Sequence, residues 1–324
     1  MRIGVCFDSL ATTPEMVDLA RLADELGLDS VWMADHIGLR EAFTVSAALL
    51  AGTSRIKVCP VAINPYSRHP AVTAMAAATL DELGPGRVIL SVGMGNTVDL
   101  ADFGMATTRP VTAVREMILI LRELFREGRC TYRGEVLQVP HARLGVRPSA
   151  PIPIYIAAMG PAMLRLAGEV GDGVVLSAGS SPEFIREARE RVAEGARKRG
   201  DGGAATVTSL VLVSMGDSER AAVAASKPLL AWVLRGRHHA PNMRAAGTGY
   251  DRETAIERIR KGDWEGAGAL ISDELVHKHS VSGTREGCAE RLRAYTAGLD
   301  LPIVLPVGDR DRRREILRLS RTLA

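Results

Sequence analysis

The sequence predicts a (β/α)₈ TIM barrel, and three observations carry that prediction. Short β-branched runs alternate eight times with longer amphipathic segments, the pattern of repeated strand–helix units. A length of 324 residues accommodates one barrel of this kind. No Gly-x-Gly-x-x-Gly fingerprint opens the first helix, which argues against an open doubly wound sheet.

A strand over 3–7 leads into a helix over 14–26, which Thr13 caps and Pro14 starts with its preset φ. Gly27 ends that helix, and a strand over 30–33 precedes a helix over 41–51 closed by Gly52. The third strand, 56–61, runs into Val61-Ala62-Ile63-Asn64-Pro65-Tyr66-Ser67-Arg68-His69-Pro70, a proline-punctuated turn that opens a helix over 70–83. Gly84 and Gly86 separate it from a strand over 88–92, and a helix over 111–125 completes the fourth unit. Residues 126–151 break the repeat and read as a short hairpin or loop. Units five to seven pair 152–157 with 161–170, 173–176 with 182–199, and 206–213 with 218–234. An insertion over about 235–282, the natural lid, precedes the eighth pair at 303–306 and 313–323. No low-complexity tract or linker divides the chain, so 1–324 reads as one domain.

With 46% hydrophobic and 24% charged residues the chain is neither disordered nor fibrous. Its 41 basic and 38 acidic residues are scattered and leave a net charge of +3, so no nucleic-acid footprint is expected. The basic run 310–314 reads as a solvated helix face. No membrane-spanning window is free of charge and no charged leader precedes a long apolar stretch, so neither a membrane partner nor a targeting signal is expected. Cys6, Cys59, Cys130 and Cys288 are far apart without ligand spacing; they predict no zinc site or disulfide and suit a reducing cytoplasm.

In such a barrel the functional side chains come from the carboxyl ends of the strands. There the chain offers Cys6 and Asp8, Asp35 and His36, the run Val61, Ala62, Ile63 and Asn64, and then Gly93 and Asn96. Ala158, Met159 and Gly160 follow strand five; Ser177, Ala178, Gly179 and Ser180 follow strand six. Small residues crowd these ends, and a missing Cβ lets a flat ring or a phosphate approach backbone N–H groups, so a large planar cofactor is expected. The turns at Gly160-Pro161 and 179–182 each open a helix, readable as an anion site or as a plain cap.

Asp35-His36 has two readings: a carboxylate-oriented neutral imidazole that binds a ring or moves a proton, or a pair that caps the next segment. His69 reads as a cap or a functional group, and Cys6 as inert packing or a nucleophile. Arg237-His238-His239, with His277 and His279, lack carboxylate or thiolate company at ligand spacing. They fit a lid facing an anionic ligand, and no metal is expected.

Ala34-Asp35-His36, Asn64-Pro65-Tyr66-Ser67-Arg68-His69-Pro70-Ala71, Ala78-Thr79-Leu80-Asp81-Glu82-Leu83 and Ala158-Met159-Gly160-Pro161 resemble the bacterial luciferase-like superfamily. Within it the chain is most similar to the deazaflavin-dependent methylenetetrahydromethanopterin reductases, with further matches at 167–173, 261–264 and 280–284. The resemblance implies a homodimeric (β/α)₈ barrel that binds coenzyme F420, or FMN in related branches, at the carboxyl ends of the strands. It implies a non-proline cis peptide at Val61-Ala62, with Ala62-Ile63 next best, behind the cofactor ring. It also exposes departures: Cys6 and Asn96 stand where the reductases carry acidic residues, and Met159 where they carry glutamine. The substrate pocket is therefore expected to have diverged.

On this resemblance the expected reaction is hydride transfer between C5 of F420 and an imine, iminium or activated-alkene carbon of a small organic substrate. Asp35 and His36 would contact the ring or move the compensating proton. Val61, Ala62, Ile63, Asn64, Gly93, Ala158, Met159 and Gly160 would seat the ring, and Ser177 to Ser180 the phosphate. Cys6, Asp8, Asn96, Arg237 and His238 would face the substrate. FMN-dependent monooxygenation on the same fold is one alternative; a non-catalytic flavin or deazaflavin binder is the other.

Overall fold

Eight parallel strands close on themselves in chain order. In the computed structural model, which describes residues 2–200 and 202–322, they are β1 (Gly4–Phe7), β2 (Ser30–Ala34), β3 (Lys57–Val61), β4 (Leu90–Val92), β5 (Ile154–Ala157), β6 (Gly173–Leu176), β7 (Thr206–Met215) and β8 (Leu301–Val307). Each pairs in parallel with its sequence neighbours, and β8 returns to β1. The seam between β3 and β4 is held by bridges at Val58–Val88 and Ile63–Val92. There Val58 N–H donates to the Arg87 carbonyl at 2.8 Å, and Gly93 N–H to that of Ile63 at the same distance. The predicted (β/α)₈ barrel is the observed fold.

Alternation along the strands sorts the core in two. Val5, Phe7, Val31, Met33 and Val58 point outward to the helices. Cys6, Trp32, Cys59, Tyr155 and Ile303 point into the barrel, where Trp32 meets Tyr155 edge-on at 5.4 Å. These large rings plug the barrel below the strand ends and leave its carboxyl mouth as the open end.

Local chemistry explains where the reading shifts. The first helix spans Thr13–Glu25, and Thr12, not Thr13, is its cap, accepting from Glu15 N–H at 3.4 Å. An unpredicted short helix, Thr97–Asp102, is capped by Asn96; its six residues are too few to show a helical period. Residues 126–151 do contain a hairpin, Arg129–Arg133 with Gln138–Arg143, whose turn is pinned by three backbone N–H groups donating to the buried Glu116 carboxylate. Residues 235–282 form a 3₁₀ turn at Arg237–His239 and four short helices: Ala240–Ala246, Arg252–Arg260, Trp264–Gly268 and Asp273–His279. They lead into a strand, Val281–Gly283, that adds to the end of β7. A further helix that the sequence pattern does not predict spans Arg285–Thr296. The last helix, Arg310–Arg321, starts at the Asp309 cap, and the expected end at Leu323 lies outside the described residues. Among the described residues no helix is long and apolar enough to cross a membrane.

Candidate active site

The barrel mouth opens into a cavity of about 660 Å³. Every strand contributes to it, because side chains near the carboxyl ends of β1 to β8 converge on the axis. One side is made of small residues: Ala62, Gly93, Ala157, Ala158, Gly160 and Ala178. A Cβ on Gly93 would lie 2.9 Å from Ala157 Cβ and 3.2 Å from Ala62 Cβ, so the backbone there is as close as glycine permits. The Val61–Ala62 peptide is cis, at the bond the resemblance implied.

Most of the expected residues meet in this cavity. Cys6, Asp8, Asp35, His36, Val61, Ala62, Asn64, Gly93, Asn96, Ala158, Met159, Gly160, Ser177, Ala178, Arg237 and His238 all line it. Three do not. Ile63 is fully buried in the outer core, since alternation turns it away from its lining neighbours. Gly179 gives its carbonyl to Asn242 and His279, and the buried Ser180 hydroxyl donates to the Ser177 carbonyl at 2.7 Å. The phosphate reading of this turn is therefore left with Ser177 and Ala178 at the cavity and no hydroxyl from Ser180.

The imidazole of His36 is oriented by Ser9 rather than by Asp35. Ser9 Oγ lies 2.8 Å from the Ala34 carbonyl and 3.1 Å from His36 Nδ1. A carbonyl only accepts, so the single hydroxyl proton goes to Ala34 and the oxygen receives Nδ1–H. Nε2 then carries the free lone pair. Burial pushes the ring's pKa down to about 4 with help from Arg235, against the opposing pull of Asp99 and Asp8, so the ring is neutral at pH 7. Asp35 instead accepts from Ala42 N–H at 3.4 Å, the capping reading, while still lining the cavity. Burial raises its carboxyl above the ordinary range.

The cavity lining also includes residues that the sequence left unmarked. Trp232, at the end of the helix Glu219–Leu234, places its ring edge-on to His36 at 4.5 Å. Arg235 stacks over that indole at 4.6 Å and pairs with Asp99 at 2.5 Å. The arginine is 5% exposed, so this is a nearly dry ion pair between two segments 136 residues apart. Asp99 lies on the unpredicted helix, one turn beyond Asn96; an Arg two residues before Arg237 was the only available signal for its partner. Burial with Arg235 nearby also holds His238 down to about 4.

The remaining candidates have quieter places. Burial pushes the Cys6 thiol far above its ordinary range, with Asp8 adding to it, so the thiol is inert packing at the cavity floor. His69 accepts from Ala71 N–H as a helix cap. His239 and His279 belong to a buried network around Asn242.

Comparison with known proteins places this geometry among relatives. Residues 4–300 match the family described as luciferase-like monooxygenase. A 5,10-methylenetetrahydromethanopterin reductase of Archaeoglobus fulgidus is 31% identical over 333 residues, taking in 100% of this chain and 98% of the relative. An F420-dependent glucose-6-phosphate dehydrogenase of Microbacterium testaceum is 35% identical over 185 residues, 53% of this chain and 55% of the relative. The solved coenzyme F420 dependent tetrahydromethanopterin reductase of Methanopyrus kandleri has a TM-score of 0.84 at 26% identity, covering 98% of this chain and 96% of the other.

Proposed function

The chain belongs to the luciferase-like monooxygenase family and is a deazaflavin- or flavin-dependent oxidoreductase; on that premise we propose that it is an F420-dependent enzyme of hydride transfer. The substrate carbon in this reading is an imine, iminium or activated alkene of a small organic molecule. The observation that carries the reading is a group of small residues and a neutral, pre-oriented His36 lining one mostly apolar cavity. Gly93 and the alanines around it would suit a flat tricycle, because they carry little or no side chain into the cavity they line. When bound, a deazaflavin supplies hydride chemistry at its C5.

The chain's own residues would then orient and move protons. Ala62, Met159 and Gly160 would position the ring, and the Ser177 to Ala178 turn would receive its phosphate-bearing chain. His36 Nε2 would accept or return the compensating proton, its tautomer set by Ser9. Asp8, Asp99 and Arg235 would surround the substrate side with fixed charges, Asn96 and Cys6 with neutral groups. The catalytic gain would come mainly from orientation and exclusion of water.

Anaerobic mixing with reduced F420 and a panel of imines and enones tests this: substrate-dependent return of the deazaflavin's absorbance supports it. The family description also favours a second reading, FMN-dependent monooxygenation. Oxygen uptake dependent on reduced FMN and absent with reduced F420 would select that one.

A homodimer is part of the proposal. Val72, Met75 and Leu83 on the helix Pro70–Leu83 are 47%, 58% and 47% exposed, an apolar face suited to a second copy. All four cysteines are buried and free, which supports a cytoplasmic setting.

A further inference from the structure

Two separate stretches of chain contribute to the cavity lining and also touch each other. The turn after β6 lines it through Ser177 and Ala178, and the start of the insertion through Arg237, His238 and Pro241. Asn242, the residue after Pro241 in the helix Ala240–Ala246, is fully buried and joins the two. Its Oδ1 accepts from Ser181 N–H and its Nδ2 donates to the Gly179 carbonyl, both at 2.8 Å. Only this orientation of the amide works: turned over, its nitrogen would meet an N–H and its oxygen a carbonyl.

Other side chains complete the grip. The Gly179 carbonyl also accepts from His279 Nδ1–H at 2.7 Å, which leaves His279 Nε2 to accept the Thr248 hydroxyl at 2.7 Å. Tyr295 donates its hydroxyl to the Ser180 carbonyl. Gly179 itself has a φ of +76°. Glycine can leave that conformation for many others, so the groups that hold its flanks set the shape of the turn. Asn242 holds both flanks, and with His279 it makes the insertion the support of the turn.

We propose that Asn242 is a positioning residue for the cofactor. By holding Gly179 and Ser181 it fixes Ser177 and Ala178 where they receive the phosphate-bearing chain, and it ties that turn to the segment that carries Arg237 and His238. Asn242 does not line the cavity, so it acts through the turn alone. The inference rests on the reading of this cavity as a deazaflavin or flavin seat.

Fluorescence titration of wild type and Asn242→Leu tests it, with F420 and FMN, which carry a phosphate, and with riboflavin and the phosphate-free deazaflavin chromophore, which do not. Leucine has nearly the volume of asparagine and neither a donor nor an acceptor. The expected result is about tenfold weaker binding of the phosphate-bearing ligands, with phosphate-free binding and far-UV circular dichroism unchanged. A role in folding alone would weaken both kinds of ligand alike. Hydrogen exchange of the free proteins reports the tie directly: amides of 177–181 should exchange faster in the variant and those of 61–64 at the wild-type rate. Where Asn242→Leu folds poorly, His279→Gln, which removes one of the two donors to Gly179, should show the same selectivity with a smaller loss. Equal loss for both kinds of ligand, or unchanged exchange at 177–181, overturns the proposal. A wild type that prefers FMN overturns the F420 reading instead, and the comparison of FMN with riboflavin then decides the role of Asn242.

Discussion

Ser9 decides which nitrogen of His36 is free: its hydroxyl is committed to the Ala34 carbonyl at 2.8 Å, so it receives Nδ1–H at 3.1 Å and leaves Nε2 unprotonated toward chemistry. Removing that anchor in Ser9→Ala lets the ring change tautomer without emptying the cavity. The expected effect is a fall in kcat of about tenfold, the worth of one hydrogen bond, with cofactor affinity retained. His36→Asn should lower kcat by about 10²-fold or more. Steady-state kinetics with parallel cofactor titration checks both, and a change confined to KM would contradict the assignment.

Arg235 and Asp99 make a nearly dry pair across the cavity mouth. Arg235→Met strands the Asp99 carboxylate and should cost about 3 kcal/mol of folding stability in urea denaturation. Asp99→Leu added to it should restore most of that loss, since both charges are then gone. Additive losses in the double variant would show that the two residues do not act as a pair.

Acid should weaken the fold earlier than carboxylate titration alone would. His36 and His238 are each held down to about 4, against 6.5 in the absence of burial. The unfolded chain therefore takes up protons first as pH falls, so stability present above pH 6.5 is lost progressively down to about 4. The melting temperature of His238→Gln should fall less over that interval than that of the wild type. Parallel slopes would contradict the burial argument.

If the exposed face of the helix Pro70–Leu83 meets a second copy, a charge there should separate them. Met75→Lys, at a side chain 58% exposed, should shift light-scattering mass from dimer to monomer with little change in monomer melting. A wild-type protein that is monomeric at all concentrations would remove this part of the account.

The barrel was legible because each strand is a short β-branched run and each helix carries its punctuation in the sequence, from Pro70 to Gly84. The strand ends were legible for the same reason, which is why His36, Ala62, Gly93 and Met159 could be named together. What stayed hidden depends on distance and on backbone shape. Asp99 and Arg235 are 136 residues apart, and no local pattern joins them. Ser9 reaches His36 from a turn in which its own φ is +67°, an uncommon conformation for a serine. The run at 237–239 pointed to the insertion, yet the structure sends His238 and His239 to different cavities, a division that only the 3₁₀ turn creates.

The central claim is that a deazaflavin lies against the wall formed by Ala62, Gly93 and Ala158. Equilibrium fluorescence titration of the apo-protein and of Ala62→Trp with F420 and with FMN tests it most directly. The account predicts selective, micromolar or tighter binding of F420 by the wild type, abolished in Ala62→Trp while the variant keeps its circular dichroism. Binding of F420 with equal affinity by both proteins, or by neither, would contradict it.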